Sequence, residues 1–445
     1  MGFRVRTRHR PARGSRDGRD EAGFSLLELI VAMTVFAIFS TGVYGMINSG
    51  ITLARNDKNR SIAANLASQE MDKVRAADFT TLPVGLVSST QSVDGALYTV
   101  QRESEWVARN TTTSPCDSAG ATPSYLRVSV KVSWSAMGGV DPVESNTVVR
   151  PPVGAYDPNA GHIAVKILDR DAAPSVAQPV RVVGTGVNAV ISTTSDGCAF
   201  FGYLNPGTYT VSLSTAGYVD RQGASNPSQS VGVFSGQVSS VGFDYDESAS
   251  LAVSITAPDG GIIPSSLPVT IANTAFLPSG TRLFSGSGST RTISGLFPSA
   301  AGYDLWTGDC ARSDPEGVDS VGNTGAYWSG AQRSFEATTT PGDPSTLAIL
   351  VPTVRVAVLR AGQPVAGITV RATNPSDSQC VTGNTYSFGP TAADGTVNVA
   401  LPFGQWTIAA VSQTASGAWP VVAVDPRNVS PSGPGGPYSA AVNIQ

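Results

Sequence analysis

The hydrophobic pattern of the chain begins with a long apolar segment at residues 24–51. This segment contains a single charged residue, Glu28, and it is long enough to cross a lipid bilayer as a helix. In residues 52–78 the apolar residues recur at helical spacing, so that they share one face of a helix. The residues on this face are Ala63, Ala67, Met71 and Val74. The pattern predicts one helix of roughly 80 Å, with a membrane-spanning half and an amphipathic half that projects outward.

Beyond the predicted helix, apolar and polar residues alternate as they do in β-strands. The segments ALYTVQRESEWV, YLRVSVKVSW and NTVV, which lie between residues 96 and 149, all show this alternation. They predict a small antiparallel sheet that covers the apolar face of the helix. The Pro-Pro-Val-Gly sequence at residues 151–154 then predicts a linker.

An internal repeat follows the predicted linker. The segment HIAVKILDRDAAPSVAQPVRVVG, from residue 162, matches TVRVAVLRAGQPVAGITVRATN, from residue 353. Each copy continues with an Asp-Gly step and a second turn, after which Tyr209 or Trp406 is predicted to point into the core. Residues 251–309 repeat the scheme loosely and are interpreted as a third, divergent copy.

The composition supports a mostly β-structured exterior. Charged residues make up 14% of the chain, while Gly and Pro number 47 and 30, as expected for many short strands joined by turns. We predict an α+β chain, with a long N-terminal transmembrane and stalk helix, a small antiparallel-sheet head and all-β sandwich modules. The predicted units are residues 1–23 (basic leader), 24–78 (helix), 79–152 (head), and 161–248, 249–345 and 346–445 (modules).

The charge is distributed unevenly. Residues 1–23 contain seven arginines and three acidic residues, a net charge of +4, which leaves −8 for the rest of the chain. Arginines directly before an apolar segment hold that end in the cytoplasm, so we favour this role over a nucleic-acid-binding arm. The acidic exterior gives no general attraction for nucleic acid, and no nucleic-acid partner is expected.

The segment GFSLLELIVAM, residues 23–33, resembles the cleavage and methylation motif of type IV prepilins and pseudopilins. The resemblance implies that a prepilin peptidase cuts between Gly23 and Phe24 and that Phe24 is then N-methylated. It also implies that Glu28 pairs with the N-terminal amine of a neighbouring subunit during assembly. The implied partners are the peptidase, other pilins or pseudopilins, and the membrane.

The repeated units resemble carboxypeptidase-regulatory or collagen-adhesin B-type β-sandwiches, which are similar in fold to transthyretin. The resemblance rests on the Asp-Gly step and on the Leu-x-Pro-Gly-x-Tyr pattern that ends in Tyr209. It implies a fold for each module and says nothing about a ligand.

All four cysteines follow the apolar segment, and their spacing is not that of a zinc site. An oxidising exterior favours two disulfides over four buried thiols. Four cysteines allow three connectivities, of which we prefer Cys310 with Cys380 and Cys116 with Cys198.

Candidate chemistry is sparse. His162 is the one histidine after residue 23, which excludes a multi-histidine metal site in the processed chain, and its place at a strand start predicts a surface residue. An acidic loop could hold Ca²⁺, although a solvated loop is favoured because the EF-hand spacing is absent. The acidic residues of this loop are Asp309, Asp314, Glu316 and Asp319. No cofactor is predicted.

These observations predict a non-enzymatic minor pilin or pseudopilin, anchored in the cytoplasmic membrane by one helix and assembled into a pilus or a secretion pseudopilus. A surface adhesin that uses a pilin anchor is the alternative. A pilin-anchored carbohydrate-active enzyme is a third hypothesis, because two carboxylates about 5–10 Å apart would suffice for glycoside hydrolysis.

Overall fold

The computed structural model of the protein describes most of the chain after residue 24. The described residues are 25–77, 82, 84–108, 114–117, 123–152, 154, 157, 159–278, 280–309, 313–314, 335–374, 376, 383–411, 421–424 and 438–444. They form one long helix, a four-stranded sheet packed against that helix and six further β-sheets, which confirms the predicted fold class.

The helix α1 runs without interruption over Leu26–Ala76. At its start, the Ser25 hydroxyl oxygen accepts a hydrogen bond from the backbone N–H of Leu27 at 3.3 Å, which satisfies one of the free donors of the first turn. In the described part of the chain, α1 is the one helix that is long and apolar enough to cross a membrane.

The second half of α1 and a four-stranded antiparallel sheet form a unit that we call the head. Its strands, in spatial order, are β1 (Gly85–Val93), β2 (Ala96–Ala108), β3 (Pro123–Trp134) and β4 (Val143–Val149). Ala63, Ala67 and Met71 of α1 are buried against the sheet. The Asn59 side chain accepts a hydrogen bond from the Tyr98 hydroxyl at 3.0 Å, so the amide in this core is paired. The sheet therefore covers the face that the helical spacing predicted.

Three β-sandwich modules follow the head. The first contains β5 (Gly161–Leu168), β6 (Pro179–Gly184), β7 (Val187–Ser192), β8 (Cys198–Leu204), β9 (Gly207–Leu213), β10 (Tyr218–Asp220), β11 (Ser228–Val233) and β12 (Val238–Glu247). The second contains β13 (Ala249–Thr256), β14 (Val269–Ala272), β15 (Thr281–Phe284), β16 (Thr290–Leu296), β17 (Tyr303–Thr307), β18 (Phe335–Ala337) and β19 (Pro344–Leu350). The third contains β20 (Thr353–Arg360), β21 (Gln363–Pro364), β22 (Thr369–Asn374), β23 (Asn384–Pro390), β24 (Thr396–Ala400), β25 (Trp406–Val411), β26 (Val421–Val424) and β27 (Tyr438–Ile444).

The three modules share one strand topology. In each module the first strand pairs in parallel with the last, β5 with β12, β13 with β19 and β20 with β27. On its other side the first strand pairs antiparallel with β8, β16 or β24. The second module is thus built on the same scheme as the other two, although its sequence matches them only loosely.

A buried aromatic residue anchors one turn in each module. Tyr209 and Trp406 are 1% and 2% exposed, and each donates a hydrogen bond of 2.8 Å to a backbone carbonyl four residues earlier. In the second module the Tyr303 hydroxyl donates to the carbonyl of Phe297. The ring fills the core while its polar atom ties down the preceding turn, as the sequence pattern predicted for Tyr209 and Trp406.

The predicted boundary between the second and third modules is displaced. A boundary after residue 345 would divide β19, which pairs with β13 over seven residues. Because these backbone hydrogen bonds belong to the sheet of the second module, that module extends through β19 and the third begins at β20.

The second and third modules share one hydrophobic cluster, which includes Leu251, Val269, Val356 and Ile408. The backbone of Ile262, in the loop before β14, donates to the carbonyl of Asn398 at 2.9 Å and accepts from the N–H of Ala400 at 3.0 Å. A loop of one module is therefore hydrogen-bonded along a strand of the next, and only two residues separate β19 from β20.

Candidate functional site in the helix and the head junction

The first half of α1 exposes a wide apolar surface. Leu26, Phe36 and Phe39 are between 72% and 76% exposed, and the most apolar window of the helix has no buried residue. Exposed apolar surface of this extent on a regular helix suits a lipid environment or other apolar helices. No other charged residue lies between Ser25 and Leu53, so Glu28 is the one charge in this surface.

Glu28 lies in the first turn of α1, where its negative charge is favourable for the helix dipole. An ionised carboxylate in an apolar environment needs a positively charged partner. The predicted cleavage site, Gly23 and Phe24, lies outside the described residues.

A second cluster joins the head to the first module, and we call it the head junction. From the head it contains Val74 of α1, Trp106 of β2 and Leu126 of β3, all at most 4% exposed. From the first module it contains Ala164 of β5 and Phe200 of β8, at 1% and 3% exposed. The head and the first module therefore share a core.

The strand β5 is buried on both faces at this junction. Ile163, Val165 and Ile167 point into the module's own core, while Ala164 contacts the head. The near-continuous apolar sequence of β5 is the signal of such a strand, because a strand with one solvated face alternates between apolar and polar residues. The connection between β4 and β5 contains the predicted linker at residues 151–154, and the two units that it joins share a core.

A disulfide crosslinks the two sides of the head junction. Cys116 and Cys198 are bonded, with their Cα atoms 5.9 Å apart, and the bond links the β2–β3 connection of the head to the first residue of β8. Beside it, the Lys166 ammonium lies 3.0 Å from the Asp117 carboxylate. This is the predicted pairing of Cys116 with Cys198. The other predicted partners, Cys310 and Cys380, lie outside the described residues.

Polar contacts add to the junction at its rim. One Glu103 carboxylate oxygen accepts hydrogen bonds from the backbone N–H and the hydroxyl of Ser195, at 2.8 and 2.7 Å. Burial raises the pKa of the neighbouring Glu105, although its bonded partner Arg127 opposes the shift. The junction thus combines a covalent bond, an apolar core and charged groups at the edge.

His162 is buried, which corrects the prediction of a surface residue. It is 2% exposed, its ring stacks on Phe200 at 5.4 Å between centroids, and its Nδ1 accepts a hydrogen bond from the backbone N–H of Tyr203 at 3.2 Å. The strand start was correctly located, but the head covers it. Burial lowers the pKa of His162 to about 4, because the charged imidazolium is poorly solvated in this position.

Acid is expected to weaken the fold through His162. The pKa of His162 in the folded state lies below its ordinary value of 6.5. The contribution of neutral His162 to stability is therefore fully present above pH 6.5 and is lost as the pH falls towards 4. The loss approaches about 1.4 kcal/mol per pH unit, or about 3 kcal/mol in all. Denaturant unfolding at about pH 7 and about pH 4.5 should show a larger loss for the natural chain than for His162→Gln, whose amide oxygen keeps an acceptor. An equal loss of stability in the natural chain and in His162→Gln would show that His162 does not cause the acid sensitivity.

The acidic loop is only partly described. The Asp309 carboxylate accepts a hydrogen bond from the Asn384 side chain, and no group of three or more potential metal ligands occurs among the described residues. Asp314 is also described, whereas Glu316 and Asp319 lie outside the described residues. The Ca²⁺ hypothesis for this loop stays a hypothesis.

Comparison with known families identifies the N-terminal segment. The model of the prokaryotic N-terminal methylation motif matches residues 18–44, which include Gly23, Phe24 and Glu28. The chain therefore carries the prepilin motif that its sequence resembles. No curated protein matches the chain significantly.

Three solved structures illustrate the likeness of the β-rich part. The TIE protein of Bacillus anthracis is 12% identical, with 82% of this chain and 73% of that chain covered and a TM-score of 0.21. GBS52, the minor pilin of Streptococcus agalactiae, is 12% identical, with 43% and 95% covered and a TM-score of 0.20. BcpA, the major pilin subunit of Bacillus cereus, is 9% identical, with 64% and 99% covered and a TM-score of 0.19. At these TM-scores the likenesses add nothing to the fold described above.

Proposed function

We propose that the protein is a minor pilin or pseudopilin, anchored in the cytoplasmic membrane by α1 and assembled through α1 into a surface filament. The observation that carries the proposal is the match of the methylation motif to an uncovered apolar helix with a single carboxylate. Other apolar helices can bury this surface, and the amine of a neighbouring processed N-terminus can neutralise Glu28.

We infer that few copies of this protein enter each filament, because the head carries three large modules. The first module shares a core with the head, and only residue 248 separates β12 from β13. Every copy in a repeating filament would have to accommodate three modules next to its own head. We therefore favour a position at a tip or at intervals, where the protein displays its modules.

Processing gives the first test of this proposal. The mature protein should begin at Phe24 carrying an N-methyl group, which mass spectrometry of the N-terminal peptide measures directly. A mature N-terminus beyond residue 40 would indicate ordinary signal cleavage and would overturn the proposal.

Assembly gives the second test. Glu28→Ala should leave membrane insertion intact, because it removes no apolar surface, but it should strongly reduce recovery of the protein in sheared filaments. Thr41→Ala is the matched control, since the Thr41 hydroxyl only donates to the Ile38 carbonyl of the same helix. Normal incorporation of Glu28→Ala would contradict the assembly role.

A further inference from the structure

Two arginines of the first module line a small cavity at its junction with the second module. Arg170 follows β5 and Arg221 follows β10, and together with the loops after β14 and β16 they enclose about 190 Å³. No aspartate or glutamate is among the described residues that line this cavity. Both guanidinium groups are paired with carboxylates outside the lining, so the cavity offers charged N–H donors rather than an unbalanced positive charge.

Neighbouring groups hold both guanidinium groups in place. The Arg170 Nη1 donates to the carbonyl of Thr339 in the second module at 2.6 Å, and its Nε donates to Asp171 at 3.3 Å. The Arg221 Nε lies 2.9 Å from the Asp244 carboxylate. Each guanidinium group has five N–H donors, so both arginines keep donors for a ligand.

The opposite wall supplies a hydroxyl group and apolar rings. The Asn273 side chain donates to the Ser299 Oγ at 3.1 Å and to the carbonyl of Gly302 at 2.7 Å, which leaves the Ser299 hydroxyl proton available to a ligand. Phe297 and Tyr303 are 5% and 3% exposed and contribute the apolar part of the lining. Charged donors, a hydroxyl and an apolar wall together suit a small polar anion.

The two walls are held at a fixed distance by Gln222, the residue after Arg221. Its Nε2 donates to the carbonyl of Ala275 at 2.7 Å, and its Oε1 accepts from the N–H of Leu277 at 3.1 Å and from Arg282 at 3.0 Å. All three partners belong to the second module. The cavity is therefore preformed, which lowers the entropy that a ligand must lose on binding.

We propose that this cavity is a binding site for the carboxylate of a small ligand about the size of one acidic sugar residue. The planar guanidinium fork matches the geometry of a carboxylate, and two forks can hold both of its oxygens. The volume is below the about 300–1,000 Å³ of pockets that enclose drug-sized ligands, so the site accepts one residue of a larger acidic polymer. Through this site, the displayed modules bind an acidic ligand.

Binding is measured on the full-length chain in detergent by saturation-transfer NMR, so the result does not depend on filament assembly. The probes are glucuronate and glucose, which share a sugar ring and differ in the carboxylate, with succinate as a carboxylate that lacks the ring. Glucuronate should bind in the millimolar range and glucose should not. Binding of succinate with similar affinity would support recognition of the carboxylate itself. Equal binding of glucuronate and glucose, or no binding of glucuronate, would overturn the proposal.

Three variants locate the site. Arg221→Gln should weaken glucuronate binding by about tenfold or more, because a hydrogen bond to a charged group is lost. Ala300→Glu, which changes an exposed lining residue, should abolish binding by repulsion without touching either arginine. Arg181→Gln is the matched control, since Arg181 is an exposed arginine of the same module that bonds to Asn188 outside the cavity. Unchanged binding in Arg221→Gln and Ala300→Glu, or an equal loss in Arg181→Gln, would show that glucuronate binds elsewhere.

Discussion

Ending the chain after Pro152 is expected to leave a head that does not fold stably, whereas ending it after Ser248 is expected to leave the head intact. The shorter chain lacks Ala164 and Phe200, which cover one side of the head core. It also leaves Cys116 without its partner. A membrane anchor would remain in both chains.

The size of the effect follows from the buried side chains. Trp106 and Leu126 are 4% and 1% exposed, and uncovering a large apolar side chain costs about 1.5–3 kcal/mol. Two such side chains and the lost disulfide together approach the about 5–15 kcal/mol by which a typical domain is stable. The longer chain keeps all of these contacts, because the described head junction ends with Val238 of β12.

Limited proteolysis of both truncated proteins in membranes measures this difference. The chain that ends after Ser248 should give a protected fragment that contains the head and the first module. The chain that ends after Pro152 should be degraded at a much lower protease concentration. Equal protection of the two would show that the head folds alone and that the shared core is dispensable.

Replacing both Cys116 and Cys198 by serine is expected to lower the free energy of unfolding by up to about 4.5 kcal/mol. The disulfide closes a loop with a sequence separation of 82 residues, so it removes much conformational freedom from the unfolded chain. The shared core should still form, because Cys198 is not part of it and Cys116 is only one of its partly buried members. The variant should therefore be folded but less stable.

Denaturant unfolding monitored by tryptophan fluorescence tests this expectation, since Trp106 lies in the junction. The natural chain treated with reductant serves as the comparison and should lose at least as much stability as the double variant, because reductant also breaks the predicted bond between Cys310 and Cys380. A natural chain whose stability does not change on reduction would contradict a stabilising role for the bond. The disulfide also requires an oxidising exterior, which agrees with the proposed placement of the modules outside the membrane.

Much of the fold could be predicted because its signals are local. The apolar run and the helical spacing of Ala63, Ala67 and Met71 predicted α1 and its buried face, and both are observed. The repeated turns predicted the β-sandwich units and the buried positions of Tyr209 and Trp406. The pairing of Cys116 with Cys198 was predicted as one of three connectivities and is present in the structure.

Other features could not be predicted because they depend on contacts between units. Nothing local distinguishes His162 at an exposed strand start from His162 beneath a covering head. The sequence of β19 also does not show whether this strand belongs to the second or the third module. Its pairing with β13 places it in the second. The cavity lined by Arg170 and Arg221 likewise depends on contacts between two modules, because Gln222 of the first module is hydrogen-bonded to the β14–β15 loop of the second.

The apolar helix, the methylation motif and the fold of the repeated modules were predictable from the sequence alone, because each depends on residue spacing within one element or one turn. How these units are joined depends on contacts that form only in the folded protein. Apolar residues show that a surface will be buried, but not which other surface will bury it, since the hydrophobic effect is not directional. For this protein, the physical reason is visible in β5, whose two apolar faces are buried by its own module and by the head.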